Sequence, residues 1–150
     1  MCIRDSCKGE ELPFEDKSFD VLTSTYMFHE IPTEIRKQVF SEISRVLKKD
    51  GIFVLTDSLQ IDDNPKLNPL LEFFPYSTHE PFYPKYIRED LKEVAKNYGL
   101  EMYYNKNAYL SKSMAFKKFD HLPLFFLSEF NQLFIKTIFF MYTFINCKTN

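Results

Sequence analysis

Two short β-rich runs, Phe19-Asp-Val-Leu-Thr-Ser-Thr25 and Ile52-Phe-Val-Leu-Thr56, bracket a segment whose apolar residues recur at helical spacing. This arrangement restricts the fold more than any other feature. Both runs start nearly continuously apolar, which is the pattern of a strand covered on both faces. Between them Pro32-Thr33 opens a helix: Thr33 suits the N-cap, Glu34 suits the positive first turn, and Ile35, Val39, Ile43, Val46 and Leu47 lie along one side. Arg45, Lys48 and Lys49 suit the C-terminal end, where the helix dipole favours cations, and Asp50-Gly51 predicts the stop. Strand, helix and strand in close succession make a βαβ crossover, and therefore a parallel sheet.

Beyond the second strand, Asn64-Pro65, Asn68-Pro69, Pro75, Pro81 and Pro84 break any long regular element, with room for a short helix over Leu67 to Phe74. A connection this long in a compact domain usually serves as a lid or binding loop. Helical spacing returns at Ile87, Leu91, Val94, Ala95 and Tyr98, predicting a helix from Ile87 to Tyr98 closed by Gly99. Glu101 to Asn105 and Tyr109 to Lys117 read as two strands joined by a tight turn around Lys106-Asn107, an antiparallel hairpin.

With 150 residues, 45% hydrophobic and 27% charged, the chain suffices for one globular domain with its own core. A formal net charge of −2 gives no basic footprint for nucleic acid. Cys2, Cys7 and Cys147 form no CxxC pair and have no metal-ligand spacing with His29, His79 or His121, so no metal is expected and the thiols read as reduced in a cytoplasmic protein. No apolar run follows a basic start, so a secretory leader is not expected. One codon choice for residues 1–6 spells a transposon-end adapter, which predicts a non-native start over residues 1–7. The aromatic segment from 119 to 150 is interrupted by Glu129, Asn131, Gln132 and Lys136, short of the ~18–20 uncharged residues of a spanning helix. A membrane is therefore not an expected partner. An amphipathic helix packed on the domain and translated non-coding sequence both remain open for this segment.

Gly9-Glu-Glu-Leu-Pro-Phe14, Ser18-Phe-Asp-Val21, Met27-Phe-His-Glu-Ile-Pro32 and Arg45-Val-Leu-Lys-Lys-Asp-Gly-Ile-Phe53, in this order and spacing, resemble the class I S-adenosylmethionine-dependent methyltransferases, specifically their small-molecule branch. The resemblance covers roughly Lys8 to Lys117. It implies an α/β fold: part of a Rossmann-like sheet whose seven strands run 3-2-1-4-5-7-6, here the equivalents of strands 4, 5, 6 and 7 with flanking helices. Residues 8–118 would be the C-terminal part of that domain. The glycine-rich turn after the family's first strand has no counterpart, because Gly9, Gly51 and Gly99 are the chain's three glycines and none forms a GxG pair.

The implied cofactor is S-adenosylmethionine, and the implied partner a small-molecule methyl acceptor that the sequence does not specify. Lys8, Gly9 and Glu10 fall at the turn that meets adenine, although the Lys8 ammonium cannot accept the adenine amino proton. Thr25 and Tyr26, at the strand end, fall beside the methionine part of the cofactor. His29 stands at the acceptor side as the implied base, where relatives commonly carry a His-His pair and this chain has His29-Glu30. Glu80, Phe82 and Tyr83 fall in the acceptor-binding loop. Each has a plainer reading beside it: Thr25 as a β-former, His29 satisfying a loop, Glu30 as a solvated acid, Glu80 to Tyr83 as packing. The rival reading of the whole chain is a non-enzymatic interaction module that pairs through an exposed strand edge.

Overall fold

The computed structural model describes residues 7–119, so the expectations for residues 1–6 and for the aromatic segment 120–150 lie outside the described residues. Four strands form one sheet in the order β1-β2-β4-β3, with β1 Phe19–Thr25, β2 Leu47–Ser58, β3 Leu100–Ala108 and β4 Ser111–Lys118. β1 and β2 are parallel, joined by helix α1 (Thr33–Val46), as the sequence pattern required. β4 then adds antiparallel to β2, and β3 antiparallel to β4. This order is the one the family resemblance implied for strands 4, 5, 7 and 6.

One face of the sheet carries the core. Phe53, Leu55 and Asp57 alternate along β2, so they share a face, and all are at most 1% exposed. Phe40 of α1 meets Phe53 and Phe116 with ring centroids 6.2 Å from each, and Phe53 stacks on Phe116, its register partner, at 5.8 Å. The expectation of full coverage on both faces is corrected, because Ile52, Val54 and Thr56 on the other face of β2 are only half-buried and Val21 in β1 is exposed.

Several boundaries differ from the sequence reading. α1 ends at Val46, and Leu47 is already extended (φ −70°, ψ 137°), so Lys48 and Lys49 begin β2 and do not close the helix. From Phe19 to Val21 β1 advances two positions while its β2 partners advance from Leu47 to Ile52, which leaves a bulge holding Asp50 at φ 61° and Gly51. The Lys48-Lys49-Asp50-Gly51 segment is thus a strand irregularity, not a helix stop. The Thr33 hydroxyl does not cap α1; it accepts a hydrogen bond from the Arg36 guanidinium. The short helix of the proline-rich stretch is α2, Asn68–Thr78, which continues through Pro75 and ends at left-handed His79. The helix expected over Ile87 to Tyr98 is confined to α4 (Leu91–Lys96), because residues 87–89 form a turn and the Asp90 carboxylate caps the start by accepting from the Glu93 N–H at 3.0 Å; a separate short helix, α3 (Tyr83–Tyr86), precedes this turn. Gly99 closes α4 at φ 74°. The hairpin turn lies at Tyr109-Leu110, with Tyr109 at φ 58°, and not at Lys106-Asn107, which remain in β3. Among the described residues no helix is long and apolar enough to cross a membrane.

Candidate functional site

Parallel β1 and β2 end side by side, Thr25 opposite Thr56, and the loops leaving them build one cluster. Tyr26 follows β1 in a left-handed conformation (φ 52°), held by its N–H on the Thr56 carbonyl at 2.9 Å and by a hydroxyl contact with Ser111. A bulky non-glycine residue in this region stores strain, which is commonest at functional sites. The chain then makes a 3-10 turn, Phe28–Glu30, that buries Phe28 and presents His29.

Asp57, at the far end of β2 and fully buried, organises this turn. Its Oδ2 accepts the Phe28 N–H at 2.9 Å, and its Oδ1 takes the Ser58 N–H at 2.7 Å and faces His29 Nδ1 at 2.5 Å. With Nδ1–H donating to Asp57, a neutral His29 turns the lone pair of Nε2 outward. There Nε2 lies 3.5 Å from Glu30 Oε1 and 3.9 Å from Glu80 Oε2. Burial pulls the His29 pKa down, but the Asp57 hydrogen bond and the charges of Asp57, Glu80 and Glu30 outweigh it, so the imidazole titrates above its ordinary range. Glu80 Oε2 is buried and accepts no hydrogen bond.

Around the imidazole stand three tyrosine rings, Tyr83 at 5.7 Å, Tyr86 at 6.0 Å and Tyr26 at 6.3 Å between centroids. The first two are floor: Tyr83 shares a hydrogen bond with the Ser58 hydroxyl, and the Tyr86 hydroxyl donates to the Ser58 carbonyl. Burial raises the pKa of both phenols, so they stay protonated. Tyr26, 44% exposed, is rim. The turn is fixed from behind by Arg36, which has no exposed surface and donates to the carbonyls of Phe28 and Ile31, to Thr33 and to Glu89.

The structure therefore brings Tyr26, His29, Glu80 and Tyr83 together, with Thr25 one residue from the rim. Gly9 reaches the same neighbourhood, since a Cβ built on it would lie 3.7 Å from the Met27 thioether and 3.3 Å from Val39, which explains why a glycine suits this turn. Lys8 is exposed and Glu10 half-buried beside it. Phe82 precedes α3 and is half-buried. Asp57 escaped sequence reasoning, although a carboxylate ending a buried apolar strand, Val54-Leu-Thr-Asp57, was a usable signal. Sequence spacing also gave no metal set, yet His29, Glu30 and Glu80 bring ligand atoms within 4.8 Å of one another.

The family described as "Methyltransferase domain" matches residues 5–55. The chain is 39% identical over 81 residues to the uncharacterised methyltransferase YcgJ of Bacillus subtilis, covering 54% of this chain and 29% of the relative. It is 47% identical over 64 residues to a sarcosine/dimethylglycine N-methyltransferase of Aphanothece halophytica, covering 41% of this chain and 22% of the relative. The chain thus spans less than a third of the length of these curated relatives. The solved structure of the Bacillus YcgJ protein superposes with a TM-score of 0.54 at 18% identity, over 75% of this chain and 69% of that one.

Proposed function

We propose that this chain, a relative of the class I S-adenosylmethionine-dependent methyltransferases in sequence and in fold, contributes the acceptor side of a site that methylates a small molecule. The observation that carries the reading is the buried Asp57–His29 pair at the C-terminal ends of two parallel strands, with Nε2 turned away from Asp57 toward Glu30 and Glu80. Crevices at strand C-termini are where open α/β sheets bind ligands. Residues 8–118 would form this part of the domain.

The residues present fit one side of the cofactor. Ser24, one residue before the strand end, has a buried hydroxyl without a hydrogen-bond partner, so β1 has a polar group to spend on a ligand. Thr25 and Tyr26 would face the methionine part, and the Lys8-Gly9-Glu10 turn the adenine. No GxG turn exists in the chain, so these 150 residues hold the cofactor weakly by themselves and are impaired alone. Bound S-adenosylmethionine supplies an activated methyl group on a sulfonium. What this chain adds is position and proton removal: His29 Nε2 takes the acceptor proton, Asp57 keeps the imidazole in the right tautomer, and Glu80, Phe82 and Tyr83 bound the acceptor. The relatives' printed names span amino acid and sterol acceptors, so they do not choose the acceptor class for this chain.

Titrating S-adenosylhomocysteine into the isotope-labelled chain tests the assignment. Millimolar ligand is expected to shift amide resonances at Lys8–Glu10 and Thr25–Tyr26 and few others. No shift there, or shifts scattered over β3, would remove the methyl-transfer reading. Submicromolar affinity for S-adenosylmethionine in calorimetry would refute the claim that this chain holds only one side of the cofactor.

A further inference from the structure

The acceptor side of the site carries more negative charge than a proton acceptor requires. Asp57 suffices to orient His29, yet Glu80 and Glu30 also converge on the outward nitrogen, at 3.9 and 3.5 Å. Glu80 is costly where it stands: its side chain is 16% exposed and Oε2 is buried without a hydrogen-bond partner. A carboxylate oxygen in that state loses hydration and gains no hydrogen bond in return, and its ion pair with His29 offsets this only while the imidazole is protonated. An anionic acceptor would worsen this, and a neutral one would leave it uncorrected.

We infer that Glu80, with Glu30, selects an acceptor that carries a protonated amine beside its reactive position. This inference rests on the methyltransferase reading of the site. The ammonium would take the place between Nε2 and the two carboxylates, donating a hydrogen bond to the orphaned Oε2 of Glu80. Two features favour an organic cation over a metal ion. Tyr26 offers a partly exposed ring at the rim, and aromatic rings attract organic cations. Glu80 also lines a hollow of about 400 Å³ together with Pro75, Tyr76, His79, Pro81 and Pro84, whose mostly apolar walls suit the body of an amine better than a hydrated ion.

The charges also couple binding to proton transfer. The groups that face His29 are Asp57 from β2, Glu30 from its own turn, Glu80 from the loop before α3, and the neutral phenols of Tyr83 and Tyr86. In the free protein the carboxylates raise the affinity of the imidazole for a second proton. A bound ammonium provides positive charge in its place and lowers that affinity, which leaves Nε2 its lone pair. The X–H bond at the neighbouring reactive atom can then break, its proton moving to Nε2 while that atom keeps the electron pair as nucleophile, and the ammonium stays charged against the carboxylates. Recognition and activation of the acceptor would thus use the same carboxylates.

The test follows the His29 ring by nitrogen-15 NMR while propylammonium, propanol and propionate, probes of one size and three charges, are titrated separately into the 150-residue chain. Propylammonium is expected to bind saturably, at least about tenfold tighter than the other two, and to lower the His29 titration midpoint by about half a pH unit or more. Glu80→Gln should weaken it about fivefold or more with an unchanged amide spectrum, and Glu30→Gln, at an exposed position, should weaken it less. Equal binding of the three probes, preference for propionate, or wild-type affinity in Glu80→Gln overturns the inference. Micromolar binding of manganous ion at the same resonances also overturns it, by making the cluster a metal site. Homocysteine-cofactor shifts are read at Thr25 and Tyr26 and ammonium shifts at His29, so loss of one with the other intact shows which of the two ideas has failed.

Discussion

At the scale of single residues, His29 is the group whose surroundings decide most. Its pKa in the folded chain lies above that of an unfolded histidine, about 6.5, because burial is outweighed by Asp57, Glu80 and Glu30. The sign follows from linkage: a raised folded pKa gives stability that is fully present below the unfolded pKa and lost as pH rises through the folded one. The margin in melting temperature of the wild type over His29→Gln should therefore be largest near pH 6 and shrink as the solution is made alkaline. A margin that grows between neutral pH and about pH 9 would mean that the imidazole is held neutral. His29 was readable from the sequence because a strand-to-helix loop is where such groups gather, and Glu80 was readable from its place in the proline-rich stretch. Asp57 was missed although a carboxylate ending a buried apolar strand is a legible signal, whereas Arg36 lies in the apolar stripe of a helix and only tertiary packing shows what its guanidinium holds.

At the scale of elements, the junction between α1 and β2 shows where local rules lose to the sheet. Lysines followed by Asp-Gly ordinarily end a helix, but pairing with β1 draws the chain into extended form three residues earlier, and the surplus is absorbed as a bulge. Gly51 serves that bulge through close approach: a Cβ there would sit 2.9 Å from the Lys48 carbonyl oxygen, 3.1 Å from Leu47 Cδ2 and 3.3 Å from the Asp20 carbonyl oxygen. Because backbone atoms cannot move aside cheaply, Gly51→Ala should destabilise the chain by about 1–3 kcal/mol, seen as a lower urea midpoint at unchanged slope. An unchanged midpoint would show that the bulge re-forms around a methyl group at little cost. The βαβ unit itself was legible because its two periodicities, one helical and one extended, are long enough to be distinct. The hairpin turn was not, since its glycine-free Tyr109-Leu110 carries no turn signal and its position follows from pairing along the whole of β3 and β4.

For the whole molecule, the sheet order places β1 at an edge: among the described residues β2 is its one strand partner, and Val21 is 47% exposed there. A parallel edge strand with an apolar residue on show invites pairing with another chain. The 150-residue protein is expected to associate with rising concentration, and Val21→Lys to reduce that association several-fold without lowering the melting temperature. Sedimentation velocity checks both, and a monodisperse wild-type monomer at high concentration would contradict the first. The edge was legible from the sequence only through family resemblance, because the pattern of β1 alone reads as an interior strand.

The crossover helix is tied down at its two extremities by charged groups from elsewhere in the chain. Arg36 ropes its first turn to the 28–31 loop and to Glu89, while Lys118, at the end of β4, reaches back to the carbonyl of Ser44 in its last turn and to that of Leu47 just beyond it. A beam clamped at both ends neither slides nor tilts, so the imidazole it supports has a fixed address. Under the proposed methyltransferase reading, accommodation of acceptors of different bulk falls to the proline-rich span between Leu59 and Pro84, while the clamped helix stays as it is.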